Sequence, residues 1–589
     1  GLDNYPYAGL PDVVTSLEFE RILSATGPYS GHLMRPSSMR GKNPAGKPPQ
    51  KIAWLQCVGS RDINRCDHGY CSSVCCMYAV KQAVMAKDHS GTGLDCAIFY
   101  MDIRTQGKDF DRYYENAKNS GVRFIPARIH TINTMPETED LLLRYVDDDG
   151  QRQAETFDMV VLSTGIEVSR DAIELSNTLG IELDKYHFTR TDSFHPVATS
   201  VPGIYACGVF TGPKDIPQSV MEASAAACAA TENLAAARNT LTREDEMPPE
   251  RDVSREVPRI GVFVCNCGTN IGGVVRVPEV AQYAGTLPGV AYVEENLFTC
   301  SQDTQDKMTE VIREQGLNRV VVAACTPRTH EALFQETLMN AGLNKYLIEM
   351  ANIRNQDSWV HSHNPDAATQ KAKDLVRMAV AKAFLASPLR ETDLPVNRSA
   401  LVVGGGVAGM IAALALARQG YPVHLAEKSE YLGGNARSLN KTYKDEDIPG
   451  FLANLVREVE AEPDITVHLG TTISGVDGFV GNFESVLSNG TLPVAVNHGV
   501  AILATGAKNY KPREYLYGDH AAVVTHLEMD ELFRHDDLRI KRAADVVFIQ
   551  CVGSRDEEHP YCSKLCCTHS IKSALELKKR NSETNVYVL

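Results

Sequence analysis

The sequence predicts an α/β protein assembled from several parallel-sheet domains. Three observations carry the prediction. The chain repeatedly reads strand, glycine turn, helix, strand. A G-x-G-x-x-G turn at Gly404, Gly406 and Gly409 stands between an apolar strand and an apolar helix. Stretches of sequence also occur twice: VVTSLEFERIL at 13–23 returns as VVTHLEMDELF at 523–533, and LQCVGSRD at 55–62 as IQCVGSRD at 549–556.

The repeat sets the organisation. YCSSVCCMYAVK at 70–81 matches YCSKLCCTHSIK at 561–572, and the strand CAIF at 96–99 matches VYVL at 586–589. The chain therefore holds the later part of one unit and the earlier part of another. It opens with neither an initiator methionine nor a signal peptide and reads as an internal fragment. The expected division is as follows: residues 1–238 form the later part of the first unit, with an inserted domain at about 50–150 and a closing segment at about 155–238. Residues 239–258, charged and proline-containing, form a linker. Residues 259–386 form a separate domain with helices at about 304–316 and 364–385 and a strand at 319–323. A second linker covers 387–398, a Rossmann domain 399–510, and the start of its inserted domain 511–589.

Composition narrows the function. At 589 residues the chain is too long for one core and suggests about three to five domains. A net charge of −15 argues against a nucleic-acid surface, which needs a basic field. The most apolar stretch, 401–417, is glycine-rich and flanked by Arg398 and Arg418, so it reads as strand and helix rather than a membrane span. Twelve of the 16 cysteines fall into three groups of four, which points to ligation in a reducing, cytoplasmic compartment rather than to disulfides. Cys66, Cys96, Cys207 and Cys228 remain outside the groups. The first has no cysteine counterpart in the second copy, and the others read as core residues.

The glycine turn predicts a dinucleotide site. Glycines let the backbone approach a pyrophosphate whose charge sits at the positive end of the helix, and Glu427 ends the next strand. Glu427, then Gly433-Gly434, then AILATG with Thr505-Gly506 is an order that resembles the FAD half of thioredoxin reductase-like flavoproteins. In that resemblance Glu427 accepts a ribose hydroxyl. Thr164-Gly165 in VVLSTG and Gly208 in TSVPGIYACG supply the matching later parts from the first copy. The usual aspartate after that glycine is Val209, and Asp215 is a substitute of unequal spacing.

Where that family's inserted domain has a second glycine turn, this chain has cysteines. They read C-x13-C-x3-C-C at Cys57, Cys71, Cys75 and Cys76, and C-x10-C-x3-C-C at Cys551, Cys562, Cys566 and Cys567. Four thiolates from a strand end and a helix's first turn can hold a cubane iron–sulfur cluster; the alternatives are structural zinc and buried unligated cysteines, the last of which does not explain why four positions recur in both copies. A third group, Cys265, Cys267, Cys300 and Cys325, places its members at probable strand ends. No C-x-x-C occurs, so the redox disulfide of a thioredoxin reductase is missing.

Together GVFVCNCGTNIGGVV, AACTPRTHEALF, EMANIRNQDSWVH, IQCVGSRD, CSKLCC and YMDIRTQGKDF resemble the HdrA subunit of heterodisulfide reductase, including tandem bacterial forms, over nearly the whole chain outside the linker. The resemblance implies FAD, about three [4Fe-4S] clusters, and flavin-based electron bifurcation or confurcation in a cytoplasmic heterodisulfide reductase-like complex. It implies as partners HdrB- and HdrC-like subunits, one small MvhD-like iron–sulfur subunit, and ferredoxin or a hydrogenase-, formate- or NADH-oxidising module. It also implies that Lys81 and Lys572 approach the flavin. Each stands five residues after the adjacent cysteines, about 140° round the helix from the second of them. Glu18 and Glu528 recur likewise. Arg328, His330, Arg354 and His361 are expected to fix backbone and packing around the third group. The alternatives are an electron-transfer component of a class II benzoyl-CoA reductase complex, a stand-alone flavin disulfide reductase, and a structural zinc-binding subunit.

Overall fold

Five parallel strands make the first sheet, in the order Val13–Thr15, Met159–Thr164, Lys51–Val58, Asp95–Phe99, Val122–Ile125. Its strands are apolar on both faces because both are covered. Ile52 and Trp54 point to the helices Ser16–Leu23 and Cys75–Ser90, where Phe19 meets Trp54 edge to face at 5.4 Å. Ala53 and Leu55 point the other way, to the antiparallel strands around Leu141, Leu143 and Phe157. The computed structural model describes residues 5–40, 46–90, 93–105, 107, 109–243, 246–490 and 492–589. Contacts divide the chain into two units, residues 1–238 with 396–589 and residues 239–395.

This sheet moves one expected boundary. Met159–Thr164 pairs with both Val13–Thr15 and Lys51–Val58. The strand expected in the closing segment from about 155 therefore belongs with the cysteine-bearing domain, which runs from Val13 to Thr164. Helix Ser16–Leu23 starts on a capping box between Thr15 and Glu18, and His526–Arg534 on the same box between Thr525 and Glu528. That accounts for the recurrence of the two glutamates: each satisfies the free N–H groups of a helix start.

The second sheet of the same unit runs Ile465–His468, Val423–Ala426, Ala400–Val403, Val500–Leu503, all parallel. Helices Val407–Ala417 and Ile448–Ala461 cover it through Met410, Leu414, Leu452 and Val459. The closing segment of the first copy packs here. From helix Ile216–Leu234, Cys228 Sγ lies 3.7 Å from Gln419 Nε2 and Glu232 3.4 Å from Arg418, while Phe194 stacks on Phe451 at 4.0 Å. The glycine-turn half and the closing half, which come from different copies, thus occupy one unit. Past them, strands Asp545–Phe548 and Asn585–Val588 pair in parallel, flanked by helices His526–Arg534 and Cys566–Arg580.

The other unit is a four-stranded parallel sheet in the order Val290–Asn296, Ile260–Cys265, Arg319–Ala324, Ile348–Asn352. Helices Val277–Ala284 and Pro365–Leu385 pack on one face, and Gln302–Glu314 and Pro327–Asn340 on the other. The stretch 239–258 forms no helix or strand among its described residues, as its composition predicts. Its latter half is not a free linker, however. Val253 is fully buried, the Arg251 N–H donates to Gly342 O at 2.8 Å, and Asn344 Nδ2 donates to Glu250. One apolar side chain in a charged run was enough to anchor it. Among the described residues no helix is long and apolar enough to cross a membrane.

Candidate functional site

Both repeated cysteine loops adopt the same unusual backbone. Cys57, Gly59, Arg61 and Ser73 have φ of 59°, 75°, 55° and 63°; their counterparts Cys551, Gly553, Arg555 and Lys564 have 56°, 68°, 58° and 66°. Three non-glycine residues per loop sit in the left-handed region, each at a cost of order 1–3 kcal/mol. Strain of this kind is held at the same places in both copies. Cys57 is the penultimate residue of strand Lys51–Val58, Cys75 and Cys76 open helix Cys75–Ser90, and Cys566 and Cys567 open Cys566–Arg580. The Ser73 N–H donates to Cys71 Sγ and the Lys564 N–H to Cys562 Sγ, both at 3.3 Å.

The thiols of each group sit in one another's field. Burial first, then Cys76, Cys57 and Cys71, raise Cys75 to about 12, and burial with Cys57 and Cys71 raises Cys76 to about 11. Burial raises Cys567, with Cys566, Cys551 and Cys562 adding to it. Arg61 bonds Cys57 and pairs with Asp102, while Arg555 bonds Cys551 and lies 2.8 Å from Asp111. In the third group Cys265 ends strand Ile260–Cys265 and Cys325 follows Arg319–Ala324, so both project from one edge of the sheet. Burial raises Cys300, with Cys265, Cys325 and Cys267 acting on it. The Thr299 N–H reaches Cys265 Sγ at 3.4 Å and Arg354 Nη1 reaches Cys267 Sγ at 3.6 Å.

Among the described residues no group of three or more histidine, cysteine, aspartate or glutamate side chains has a geometry that could hold a metal ion. Within each expected ligand set the thiols act on one another electrostatically. The donor chemistry, four thiols with N–H and guanidinium groups aimed at sulfur, fits an iron–sulfur cluster.

The glycine turn divides its labour among its three glycines. A Cβ on Gly404 would meet Ala504 O at 2.3 Å and one on Gly409 would meet Gly404 O at 1.8 Å, so these two fix the turn and the helix packing. A Cβ on Gly406, at the cap of helix Val407–Ala417, would meet nothing within 4 Å. That open side of a helix start is where a pyrophosphate can approach the backbone. Gly433 and Gly434, with φ of 118° and 52°, lie against it, and Gly506, three residues past the neighbouring strand Val500–Leu503, faces open space. Thr505 stands beside it, after strand Val500–Leu503. Glu427 accepts from the Gly405 N–H at 2.6 Å and the Ser429 N–H at 2.8 Å, bonds that hold its carboxyl below the usual range despite burial.

Other expected residues stand elsewhere. Thr164-Gly165 closes the first cysteine loop: the Gly165 N–H donates to Val58 O at 2.7 Å, and a Cβ there would meet Ser72 Oγ at 2.8 Å. Asp215 caps helix Ile216–Leu234. The carboxylate that reaches Gly208 is Glu222, which accepts from the Gly208 N–H at 3.1 Å and the Thr211 hydroxyl at 2.9 Å and pairs with Lys214 at 2.5 Å. No sequence signal pointed to it. Cys96 is buried as expected, but Cys207 is exposed and Cys228 half-buried. Lys81 Nζ lies 2.5 Å from Glu20, and Lys572 Nζ 2.7 Å from Asp530. The repeat could have found this pair, because Glu20 and Asp530 are aligned acids. Lys572 and Asp530 also line a cavity of about 340 Å³ with Asn440, Lys441 and Tyr443, shortly past Gly433-Gly434 in the chain.

Residues 402–455 match the model of an NAD(P)-binding Rossmann-like domain, and residues 91–227 that of pyridine nucleotide-disulphide oxidoreductases. The chain is 35% identical over 431 residues to the A subunit of the H(2):CoB-CoM heterodisulfide,ferredoxin reductase of Methanothermobacter marburgensis, covering 58% of this chain and 65% of that protein. It is 31% identical over 470 residues to a protein of Archaeoglobus profundus described as like the A subunit of heterodisulfide reductase, covering 57% of this chain and 67% of that protein. The chain thus spans about two thirds of the length of these relatives. Thioredoxin reductase from T. acidophilum aligns at 18% identity over 31% of this chain and 51% of its own, with a TM-score of 0.22, too low to bear on function.

Proposed function

The chain belongs to the HdrA family of heterodisulfide reductase subunits, and from that premise we propose that it is the FAD- and iron–sulfur-bearing electron-transfer subunit of a larger oxidoreductase. FAD supplies the exchange between electron pairs and single electrons, and clusters carry the single electrons. Gly404, Gly406, Gly409, Gly433, Gly434, Thr505 and Gly506 would hold the dinucleotide, with Glu427 stiffening the turn from beneath. Gly208, oriented by Glu222 and Lys214, would close the site from the first copy. The twelve grouped cysteines would hold the clusters.

The observation that carries the reading is the Lys572–Asp530 pair. Lys572 stands on helix Cys566–Arg580, whose first turn presents two cysteines, and on the wall of the cavity shared with residues 440–445 of the dinucleotide half. A cation held there stabilises negative charge on a neighbouring cofactor, while Asp530 fixes its position and its proton. The same helix therefore serves a two-electron site on one side and a one-electron site on the other. This supports a centre that divides an electron pair between two paths, with partner subunits and a ferredoxin-type carrier completing the reaction. The experiment is anaerobic purification with flavin, iron, sulfide and zinc analysis. FAD with about four iron per cysteine group is the expected result; zinc with little iron overturns the reading. Reduction of the isolated chain's flavin by a nicotinamide nucleotide, at rates matching a disulfide reductase, would instead favour a stand-alone enzyme.

A further inference from the structure

Residues 354–358 form a π-helical turn, a rare geometry that is frequent at functional sites, and it is fastened to the third cysteine group at two points. Arg354 Nη1 reaches Cys267 Sγ at 3.6 Å, with its guanidinium over the Trp359 ring at 4.9 Å. The Ser358 hydroxyl donates to Asn270 O at 2.7 Å, and the Asn270 N–H donates to Cys267 O at 3.1 Å. Between them stands Asp357. Its side chain is fully buried, and neither carboxylate oxygen has a hydrogen-bond partner. A buried carboxylate without a donor is costly as an anion and is relieved by taking up a proton.

Its surroundings contain a single countercharge. Helix Pro365–Leu385 packs against the turn and brings Lys371, the one charged group that acts on Asp357 among the described residues. Strand Ile348–Asn352 brings the uncharged Asn352, which accepts from the Asn355 N–H, while its Glu349 is paired with Lys382. On the turn itself Arg354 is turned to sulfur. Lys371 Nζ lies 3.2 Å from His361 Nε2, and the His361 backbone N–H donates to the Asp357 backbone carbonyl at 2.8 Å, which holds the two residues on adjacent turns. His361 is half-exposed and gives this pair an outlet to solvent.

We propose that Asp357 is a redox-linked proton-binding site: its carboxylate takes up one proton when one electron is added to the group held by Cys265, Cys267, Cys300 and Cys325, and releases it when the electron leaves. The proposal rests on the reading that these cysteines hold an iron–sulfur cluster. The electron comes from a low-potential one-electron donor such as reduced ferredoxin or dithionite, and the proton comes from water by way of His361 and Lys371, so the charge of the region is unchanged. Asp357 lies on the same turn as Arg354, whose guanidinium reaches Cys267, and in a poorly solvated interior added negative charge on that side raises its proton affinity. Burial, opposed by Lys371, already lifts the carboxyl to about 6, so a modest further rise carries it through neutral pH.

The test uses the full chain, loaded with iron and sulfide anaerobically, in a Cys75→Ser/Cys566→Ser background that leaves only this group intact. Its midpoint potential is measured by EPR-monitored titration from about pH 5 to 9. The expected potential falls as pH rises through a window around neutrality. Asp357→Asn, an isosteric change, makes it pH-independent, Asp357→Glu restores the slope, and Lys371→Met moves the window to higher pH. A flat profile in the parent chain, or an equal slope in Asp357→Asn, overturns the proposal with the cluster reading intact. Absence of iron from these four cysteines overturns both.

Discussion

Lys572 Nζ lies 2.7 Å from one Asp530 oxygen and 3.0 Å from the other, and Asp530 is fully buried. His569 approaches the same carboxylate at 3.3 Å. Removing the lysine leaves an anion in the core. Lys572→Met is expected to cost about 3–5 kcal/mol of stability by urea unfolding. Lys572→Met/Asp530→Leu, which removes both charges, should recover most of it. In the flavin-loaded protein, Lys572→Met should lower the midpoint potential of the flavin; an unchanged potential separates the lysine from the cofactor.

Acid should weaken this region through His526. Burial, together with His569, depresses His526 to about 4. A histidine whose folded value lies below its unfolded one favours the folded state above about 6.5 and loses that contribution as pH falls toward 4. Asp530, also held below its ordinary value, acts in the same direction. Thermal unfolding followed from pH 7 to 4 should give a falling midpoint, with a shallower fall in His526→Phe.

Asp357 has the opposite sign. Its folded value, about 6, lies above the ordinary 3.8, so its stabilising contribution is complete below about 4 and is lost as pH rises through 6. Asp357→Asn should be more stable than the parent near pH 7 and no more stable near pH 4. Differential unfolding at the two pH values checks it.

The glycines of the dinucleotide turn should separate by phenotype. Gly409→Ala places a methyl 1.8 Å from Gly404 O and should lower expression and stability with or without flavin. Gly406→Ala meets no protein atom within 4 Å, so the apoprotein should fold normally while its FAD content drops by tenfold or more on an order-of-magnitude basis. Normal flavin binding by Gly406→Ala would remove the turn from the site.

Each cysteine group should lose its metal independently. Cys75→Ser, Cys566→Ser and Cys325→Ser should each remove about four iron per chain and leave the other two groups' signals unchanged. A loss of all iron from one substitution would mean a shared fold defect rather than three sites.

Much of this was legible because repetition marks function. Eight of the cysteine positions, the capping glutamates and the two lysines show in the alignment of the chain with itself, the third cysteine group in its places at strand ends, and the glycine turn in its spacing between a strand and a helix. What sequence did not yield depends on contacts distant in the chain. Glu222 reaches Gly208 from a later helix turn, Met159–Thr164 joins a sheet begun at Val13, and Val253 is buried from within a charged run. Asp357 stood in a stretch already singled out for its resemblance, yet its burial beneath a π-helical turn has no signature in residue order.

The division of one unit between residues 1–238 and 396–589, with a separate unit encoded between them, sets a schedule for synthesis. Residues 239–395 can fold on emergence, because every strand of their sheet is already present. The closing segment around Phe194 and Cys228 must wait for Phe451 and Gln419. At ~5–20 residues per second the stretch from 239 to 451 takes about 10–40 s to appear. Through that interval Phe194 is without the ring it stacks on and Cys228 and Glu232 are without Gln419 and Arg418, which makes this segment a place where a chaperone or premature aggregation would act.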